Sequence, residues 1–382
     1  MADIPRYSPT RLGAGAGTRF GSGWISGVLG IVFSALAGGG VLCLLFPSWL
    51  TTPDARPLYP LDVVRFLIYA FLVAGFGLGT LSVLLRRSKG LGVSALALAA
   101  VTTLLGGSTT KVGTLDGGPP GYVGLDWFLL NVLVLSLIFI PMERAFARLR
   151  AQPIFRFGWR TDLTHFAMSH LLLQAIVLLT LVPATVLFAW AVWPGLQRAV
   201  QAQPLILQFV EIVVVADLAE YVVHRTFHGV PWLWRFHAIH HSAQAMDWLA
   251  GSRLHLLDIV VTRGLSFVPL YLLGFSAPAL YAYLVFVSFH AVFIHANVRF
   301  RFKPIEWLVV TPRFHHWHHA DAPEAVDTNF AIHLPVIDRL FGTCYFPDGR
   351  WPDAYGIRGD SVPDGWLRQL GWPFRRARPV VS

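Results

Sequence analysis

The chain has 382 residues, 55% of them hydrophobic and only 13% charged, against roughly a quarter charged in soluble domains. So little charge cannot dress a folded surface in water, which excludes a soluble cytosolic enzyme and makes lipid the expected solvent. The 30 basic and 21 acidic residues leave +9, but the basic residues fall in short stretches between apolar runs and form no aromatic-interleaved patch, so nucleic acid is not an expected partner.

Apolar runs of about 20 residues cross a hydrocarbon core as helices, because lipid forces each backbone hydrogen bond to close within the segment. The runs at 24–47, 62–85, 90–107, 122–142, 164–193 and 204–222 are the expected spans. A further pair, 258–275 and 278–297, is joined at Gly274-Phe275-Ser276-Ala277-Pro278 and carries Arg263 and Pro269 inside; it reads as two spans or a re-entrant hairpin. Arg19, the first apolar run and Ala35-Leu36-Ala37 imitate a signal peptide, yet the run continues through Leu45, which favours a retained span. Glycines at 38–40, 75, 77 and 79 read as close helix packing, since no strand or Lys-Ser/Thr accompanies them.

With the N-terminus inside, the inner segments hold eleven arginines and lysines (Arg6, Arg11, Arg19, Arg86, Arg87, Lys89, Arg144, Arg148, Arg150, Arg156, Arg160) and the outer ones four (Arg56, Arg65, Lys111, Arg198). That bias orients the bundle and sends the end of the 204–222 helix into the cytoplasm. Lysine occurs only at Lys89, Lys111 and Lys303, an arginine preference that points to a GC-rich bacterial source. The expectation is an all-α, multi-pass integral membrane helical bundle in a bacterial inner membrane, with its N-terminus and a histidine-rich cap in the cytoplasm. Residues 1–150 form an N-terminal membrane region, 151–346 the catalytic region and 347–382 a cytoplasmic tail.

Cys43 and Cys344 are too few for a disulfide framework or a thiolate site. Histidine is the anomaly: twelve of the 15 lie between His224 and His319, where even scattering would put about four. His224 and His228, four apart, share a helix face. His237, His240 and His241 form an H-x-x-H-H group that His315, His318 and His319 repeat, while His290 and His295 close the last apolar run. Neutral imidazole suits zinc, copper, iron and nickel, and nine or ten imidazoles exceed what one ion can use, so two metals are expected.

Asp217, Tyr221, His224 and His228 lie at offsets 0, 4, 7 and 11, one helical stripe. A carboxylate inside a span is a functional candidate; Asp217 is expected to accept a hydrogen bond from a ligating imidazole, the alternative being a structural pair with an arginine. His290 precedes His295 by five residues, about 140° away on a helix, so it is placed behind the ligands. His165 and His170 read as satisfied buried histidines and His333 as structural; Trp232, Trp234 and Trp248 flank the metal groups as candidate walls of a substrate channel.

These groups, together with Arg160-Thr161-Asp162-Leu163, Gly251-Ser252-Arg253-Leu254-His255, His295-Ala296-Asn297, Thr311-Pro312-Arg313-Phe314-His315-His316 and Asp338-Arg339-Leu340-Phe341-Gly342-Thr343, resemble the fatty acid hydroxylase/sterol desaturase superfamily over about residues 155–346. The resemblance implies a non-haem di-iron centre that uses O2 to attack an unactivated C–H bond of a membrane lipid, by hydroxylation or desaturation. It carries over His224, His228, His237, His240, His241, His295, His315, His318 and His319 as catalytic metal ligands. His255 and His316 compete for a tenth position, with His290, Asp217, Tyr221 and Asn297 as supporting residues. No G-x-G-x-x-G follows a strand and no cysteine cluster is present, so the electrons are expected from a separate electron-transfer protein.

The alternative is a membrane metal transporter or carrier with a cytoplasmic His-rich site, which would place ligands near the bilayer midplane on broken helices. A pH-sensing or nickel-binding His-rich tract is a third reading. Metal-dependent lipid hydrolysis lacks its H-E-x-x-H signature.

Overall fold

The computed structural model describes residues 21–53, 56–115, 121–300, 303–357 and 362–375. Arg6, Arg11 and Arg19, counted above for orientation, lie outside them, as does the end of the tail from 376 on. Two units are present: Met1–Val134 with His170–Gln174, and Leu135–Ser169 with Ala175–Ser382.

In the first unit, α1 (Trp24–Leu45) is followed by the single turn α2 (Pro47–Leu50), then α3 (Leu61–Leu85) and α4 (Gly90–Leu104). The glycines of these helices sit where backbones meet: a Cβ on Gly92 would lie 2.6 Å from Gly79 O and one on Gly75 2.3 Å from Ser34 Oγ. Ser34 Oγ donates to Ala95 O at 3.0 Å and Ser82 Oγ to Gly23 O at 2.7 Å. Small residues and short hydroxyl bonds let apolar helices associate where lipid supplies no hydrophobic drive. After α4, α5 (Leu125–Ala145) begins with Asp126, which accepts from Thr52 N and Thr52 Oγ1.

The second unit carries, apart from residues 170–174, α6 (Trp159–Leu171) and α7 (Leu173–Phe188), then α8 (Pro194–Gln201), α9 (Leu205–Gly229), α10 (Pro231–His241), α11 (Leu256–Leu273), α12 (Ala277–Phe293), α13 (Pro312–His318), α14 (Pro335–Leu340) and α15 (Trp366–Gly371). The apolar run at 164–193, expected as one span, is broken between α6 and α7. The first half is too polar for lipid: Asp162 pairs with Arg156 and Arg253, and His165 bonds Leu254 O and Gln369 Oε1. His165 is therefore the satisfied buried histidine that was expected.

Among the described residues, six helical stretches are long and apolar enough to cross a membrane: Trp24–Leu45, Leu61–Leu85, Gly90–Thr109, Leu125–Ala145, Gln174–Ala191 and Leu256–Leu273. The protein is an all-α multi-pass membrane protein; among the described residues the only β contacts are two isolated bridges. The expected span at 204–222 is part of a longer helix, α9, which carries Glu211, Asp217 and Glu220 and is not among the six. α12, at 17 residues, is shorter than the six. α11 turns into α12 through Gly274 at φ +66, a left-handed position that a side chain would strain. α8, α9, α11 and α12 share one apolar core around Ile212, Ala216, Leu270, Ala279 and Tyr283.

Candidate metal centre

Four chain segments deliver the nine clustered imidazoles. The C-terminal end of α9 brings His224 and His228, α10 brings His237, His240 and His241, the turn after α12 brings His295, and α13 with its cap brings His315, His318 and His319. They sort into two groups, His224/His228/His237/His241/His318 and His240/His295/His315/His319, each offering ligand atoms within 4.8 Å of one another. One helix face thus feeds both groups, since α10 sends His237 and His241 to the first and His240 to the second.

Six of the nine have Nδ1 tied down. His224 Nδ1 donates to Phe330 O at 2.7 Å, His318 Nδ1 to Thr328 O at 2.7 Å, His240 Nδ1 to Arg253 O at 3.2 Å and His295 Nδ1 to Ala291 O at 2.7 Å. His237 Nδ1 donates to Asp258 Oδ2 at 2.8 Å and His228 Nδ1 to Asp327 Oδ1 at 3.0 Å. Carbonyl and carboxylate oxygens only accept, so the single N–H of each neutral ring sits on Nδ1 and the Nε2 lone pair is free.

The free lone pairs point at one another. His224 Nε2 lies 2.9 Å from His237 Nε2, and His240 Nε2 3.3 Å from His295 Nε2. Neither pair has a proton to share, so both contacts are repulsive unless a cation accepts the two lone pairs. His315 Nε2 stands 3.0 Å from His295 Nε2 and 3.1 Å from His319 Nε2. His228 Nε2, His241 Nε2 and His318 Nε2 are buried without a hydrogen-bond partner. Burial, and after it the neighbouring imidazoles, push His240, His241, His315, His318 and His319 well below the ordinary imidazole range, which keeps them in the neutral form that binds metal. The donor set, all imidazole with tautomers set from behind, fits two borderline transition-metal ions.

The other residues singled out from the sequence lie outside the two groups. Asp217 does not receive an imidazole, nor does it pair with an arginine: its carboxylate accepts Ile332 N, His333 N and Leu334 N at 2.8, 3.1 and 2.6 Å. The helical stripe predicted its direction, but the partner is a returning backbone segment. Tyr221 OH meets Thr343 Oγ1 at 3.0 Å. His255 caps α11 by accepting Leu257 N and bonds Leu370 O. His316 bonds Tyr355 OH through Nδ1 and donates to His295 O through Nε2. His290 contacts His333 at 3.1 Å and donates to Val310 O, so His333, read as isolated, has a histidine partner. Asn297 bridges Leu149 N and O. Of the three tryptophans, Trp234 makes tilted ring contacts with His228 and His241, whereas Trp232 packs on Phe236 and Trp248 on Phe166.

Two supporting features escaped the sequence reading. Asp258, in the first turn of α11, takes the role expected of Asp217; its only local signal is an acid three residues after His255. The loop 327–330 serves three imidazoles of the first group, with Asp327 and Asn329 at φ 54 and 57. Asn329 is locked by bonds to Phe314 O and Tyr345 O, and Asp338 holds Phe330 N and Ala331 N. Asp258→Ala would leave the His237 ring without its orienting acceptor; metal affinity is expected to fall about 10- to 100-fold in a chelator-competition titration, and an unchanged affinity would show that Asp258 does not orient the ring.

Comparison with known proteins agrees with this geometry. The fatty acid hydroxylase family matches residues 209–343, which hold every histidine of both groups. The chain carries a domain of the fatty acid hydroxylase superfamily. Ornithine lipid hydroxylase OlsE of Rhizobium tropici is 35% identical over 173 residues, 45% of this chain and 52% of that protein. Human alkylglycerol monooxygenase is 33% identical over 128 residues, 33% of this chain and 28% of its own length. The fatty acid hydroxylase vlmA of Lecanicillium sp is 31% identical over 147 residues, 34% of this chain and 40% of that protein. The chain therefore spans about half the first relative and less of the others. No solved structure matches it. The hydroxylase domain's relatives are lipid hydroxylases and monooxygenases, oxidoreductases by name.

Proposed function

We propose that the chain is a membrane-bound, O2-dependent di-iron oxidoreductase that hydroxylates or desaturates a C–H bond of a membrane lipid. The observation that carries this reading is the pair of imidazole groups whose Nε2 lone pairs converge while Nδ1 is tied from behind. His224, His228, His237, His241 and His318 would hold one ion; His240, His295, His315 and His319 would hold the other. Iron bound there supplies the redox chemistry with O2 that an unactivated C–H bond requires.

The chain's own residues do the rest. Asp258, Asp327 and the carbonyls of Arg253, Thr328 and Phe330 hold the ring tautomers, so the ligands need no reorganisation. Phe330 and Trp234 pack against the rings and exclude water from the first group. Hydroxylation consumes two electrons and two protons per O2, and a separate electron-transfer protein supplies the electrons. The apolar helices keep the site where a lipid dissolves. With α9 counted as a span beside the six more apolar helices, the arginine bias turns the site to the cytoplasm, and the bacterial ornithine lipid hydroxylase supports a bacterial inner membrane as the setting. The carrier reading is less well supported, because the ligands cluster at helix ends and in the turns that follow.

Metal analysis of the purified protein after anaerobic iron loading is expected to give two irons per chain, with a coupled di-iron signature in Mössbauer spectra. Fewer than two irons alongside full lipid oxidation would overturn the di-iron reading.

A further inference from the structure

The outer face of α9 and part of the histidine-bearing cap form one apolar surface that no other described residue covers. On α9 the exposed residues Leu207, Val214, Leu218 and Arg225 stand at offsets 0, 7, 11 and 18, within about 20° of a single line along the helix. The first three are apolar and face lipid. The fourth, nearest the histidines, is charged, and it marks where hydrocarbon gives way to headgroups.

The cap continues this surface. Phe341, just past the end of α14, stacks on Tyr221 of α9 with ring centroids 4.9 Å apart, and Tyr221 OH accepts from Arg225 Nη1 at 3.1 Å. Tyr221 precedes Arg225 by four residues, about 6 Å of helix rise, so Phe341 sits on the hydrocarbon side of that arginine. Phe341 is 50% exposed and its neighbour Leu340 77%, and Val336, one turn before Leu340, is exposed as well. Beside α14 lies the short turn Ile305–Trp307. There the Arg339 guanidinium stands 3.6 Å from the Trp307 ring centroid, and its Nη1 donates to Trp307 O at 3.2 Å. Trp307 is nevertheless 60% exposed and Leu308 67%. Tryptophan, leucine and phenylalanine on one face with arginine at its rim compose a segment that lies in a membrane interface.

We propose that Trp307, Leu308, Leu340 and Phe341 are immersed in the leaflet on the histidine side of the bilayer, level with Tyr221 and among the first acyl carbons, so that the cap carries its own membrane anchor beside the crossing helices. Lipid is the occupant of this face because the face continues the lipid-facing stripe of α9 through the Tyr221–Phe341 contact. The anchor reaches the metal centre through α14: Asp338 holds Phe330 N and Ala331 N, and Phe330 O accepts from His224 Nδ1. The first imidazole group is thereby held at a fixed height, about one helical turn beyond the immersed face.

The test uses the full chain in phosphatidylcholine nanodiscs doped with a phosphatidylcholine that carries a photoactivatable diazirine near the carbonyl end of one acyl chain, with adducts mapped by peptide mass spectrometry. Adducts are expected on Leu308, Leu340 and Phe341 at a yield comparable to that on Leu218. Val326 is the control: it is 61% exposed and adjoins Asp327, which accepts from His228 Nδ1. His228 lies about 10 Å farther along α9 than Tyr221, so Val326 is expected to stay unlabelled. Leu340→Asp is expected to cut labelling of Leu308 and Phe341 by about tenfold, the scale of burying one leucine side chain, with Leu218 adducts and metal content unchanged. Labelling of Leu218 without Leu308 or Leu340 would overturn the anchor, and it is the result that a second copy of the chain or another protein on this face would give. Equal labelling of Val326 would overturn it too, since the reagent would then be reaching the cap from outside the bilayer. Absence of adducts on Leu218 would take α9 out of the lipid and the anchor with it.

Discussion

His318→Ala is expected to lower bound iron from two to about one per chain and to reduce O2-dependent lipid oxidation by more than 100-fold. Loss of an outer partner alone costs about 10- to 100-fold in metal affinity, and His318 is placed to be a direct ligand. Its Nδ1 is spent on Thr328 O, and its Nε2 is buried beside His224, His228 and His241. Alanine removes one of five imidazoles and leaves the other four with an open side. His240→Ala is expected to do the same to the second group, where only four imidazoles converge. Metal analysis paired with mass spectrometry of lipid products reads both effects. Undiminished oxidation in either variant would take that residue out of the ligand set. His316→Gln, whose ring contacts Tyr355 OH and a backbone carbonyl, is expected to keep both metals.

The second large effect is on stability. Arg156 is fully buried, with Nη1 2.6 Å from Asp162 Oδ2 and with Nε and Nη2 on the two oxygens of Asp247 at 2.8 and 2.5 Å. Asp162 in turn holds Arg253 Nε, and Arg253 O receives the His240 imidazole. Arg156→Met leaves the buried Asp247 carboxylate without its guanidinium and Asp162 with Arg253 alone, and is expected to cost about 3–5 kcal/mol, visible as a lowered midpoint of thermal unfolding in detergent and as weakened binding at the second metal group. Removing Asp247 as well, in Arg156→Met/Asp247→Leu, should recover part of the loss, because replacing the pair costs less than orphaning one partner. An unchanged midpoint in the single variant would show that the network is not stabilising.

The same network has a defined acid limit. Burial alone would raise the Asp162 carboxyl, but Arg253 and Arg156 hold it below its usual value. The stability it contributes is present above the ordinary carboxylate range and is lost only as pH falls through the depressed folded value.

The histidine groups were legible because helical periodicity is local. Four- and three-residue spacings put His224 with His228, and His237 with His240 and His241, on shared faces whatever the rest of the chain does. The apolar runs were legible for the same reason, since length and composition alone decide whether a helix can cross lipid. Where the chain mixes signals the reading failed: 164–193 looked like one span until the polar contacts of Asp162 and His165 separated α6 from α7. Asp217 and Asp258 show the limit most clearly. Both are acids on helices near the histidines, and only the packing of α10 against α11 brings His237 to Asp258 while the 332–334 backbone saturates Asp217.

The sequence by itself determined an all-α membrane protein with nine or ten clustered imidazoles, because composition and spacing act over a few residues. Only the tertiary structure decided how the nine divide into five and four and which oxygen sets each tautomer. Those outcomes depend on contacts between residues as much as 106 positions apart, such as His224 with Phe330, and no local pattern encodes which distant backbone atom a buried polar group will find.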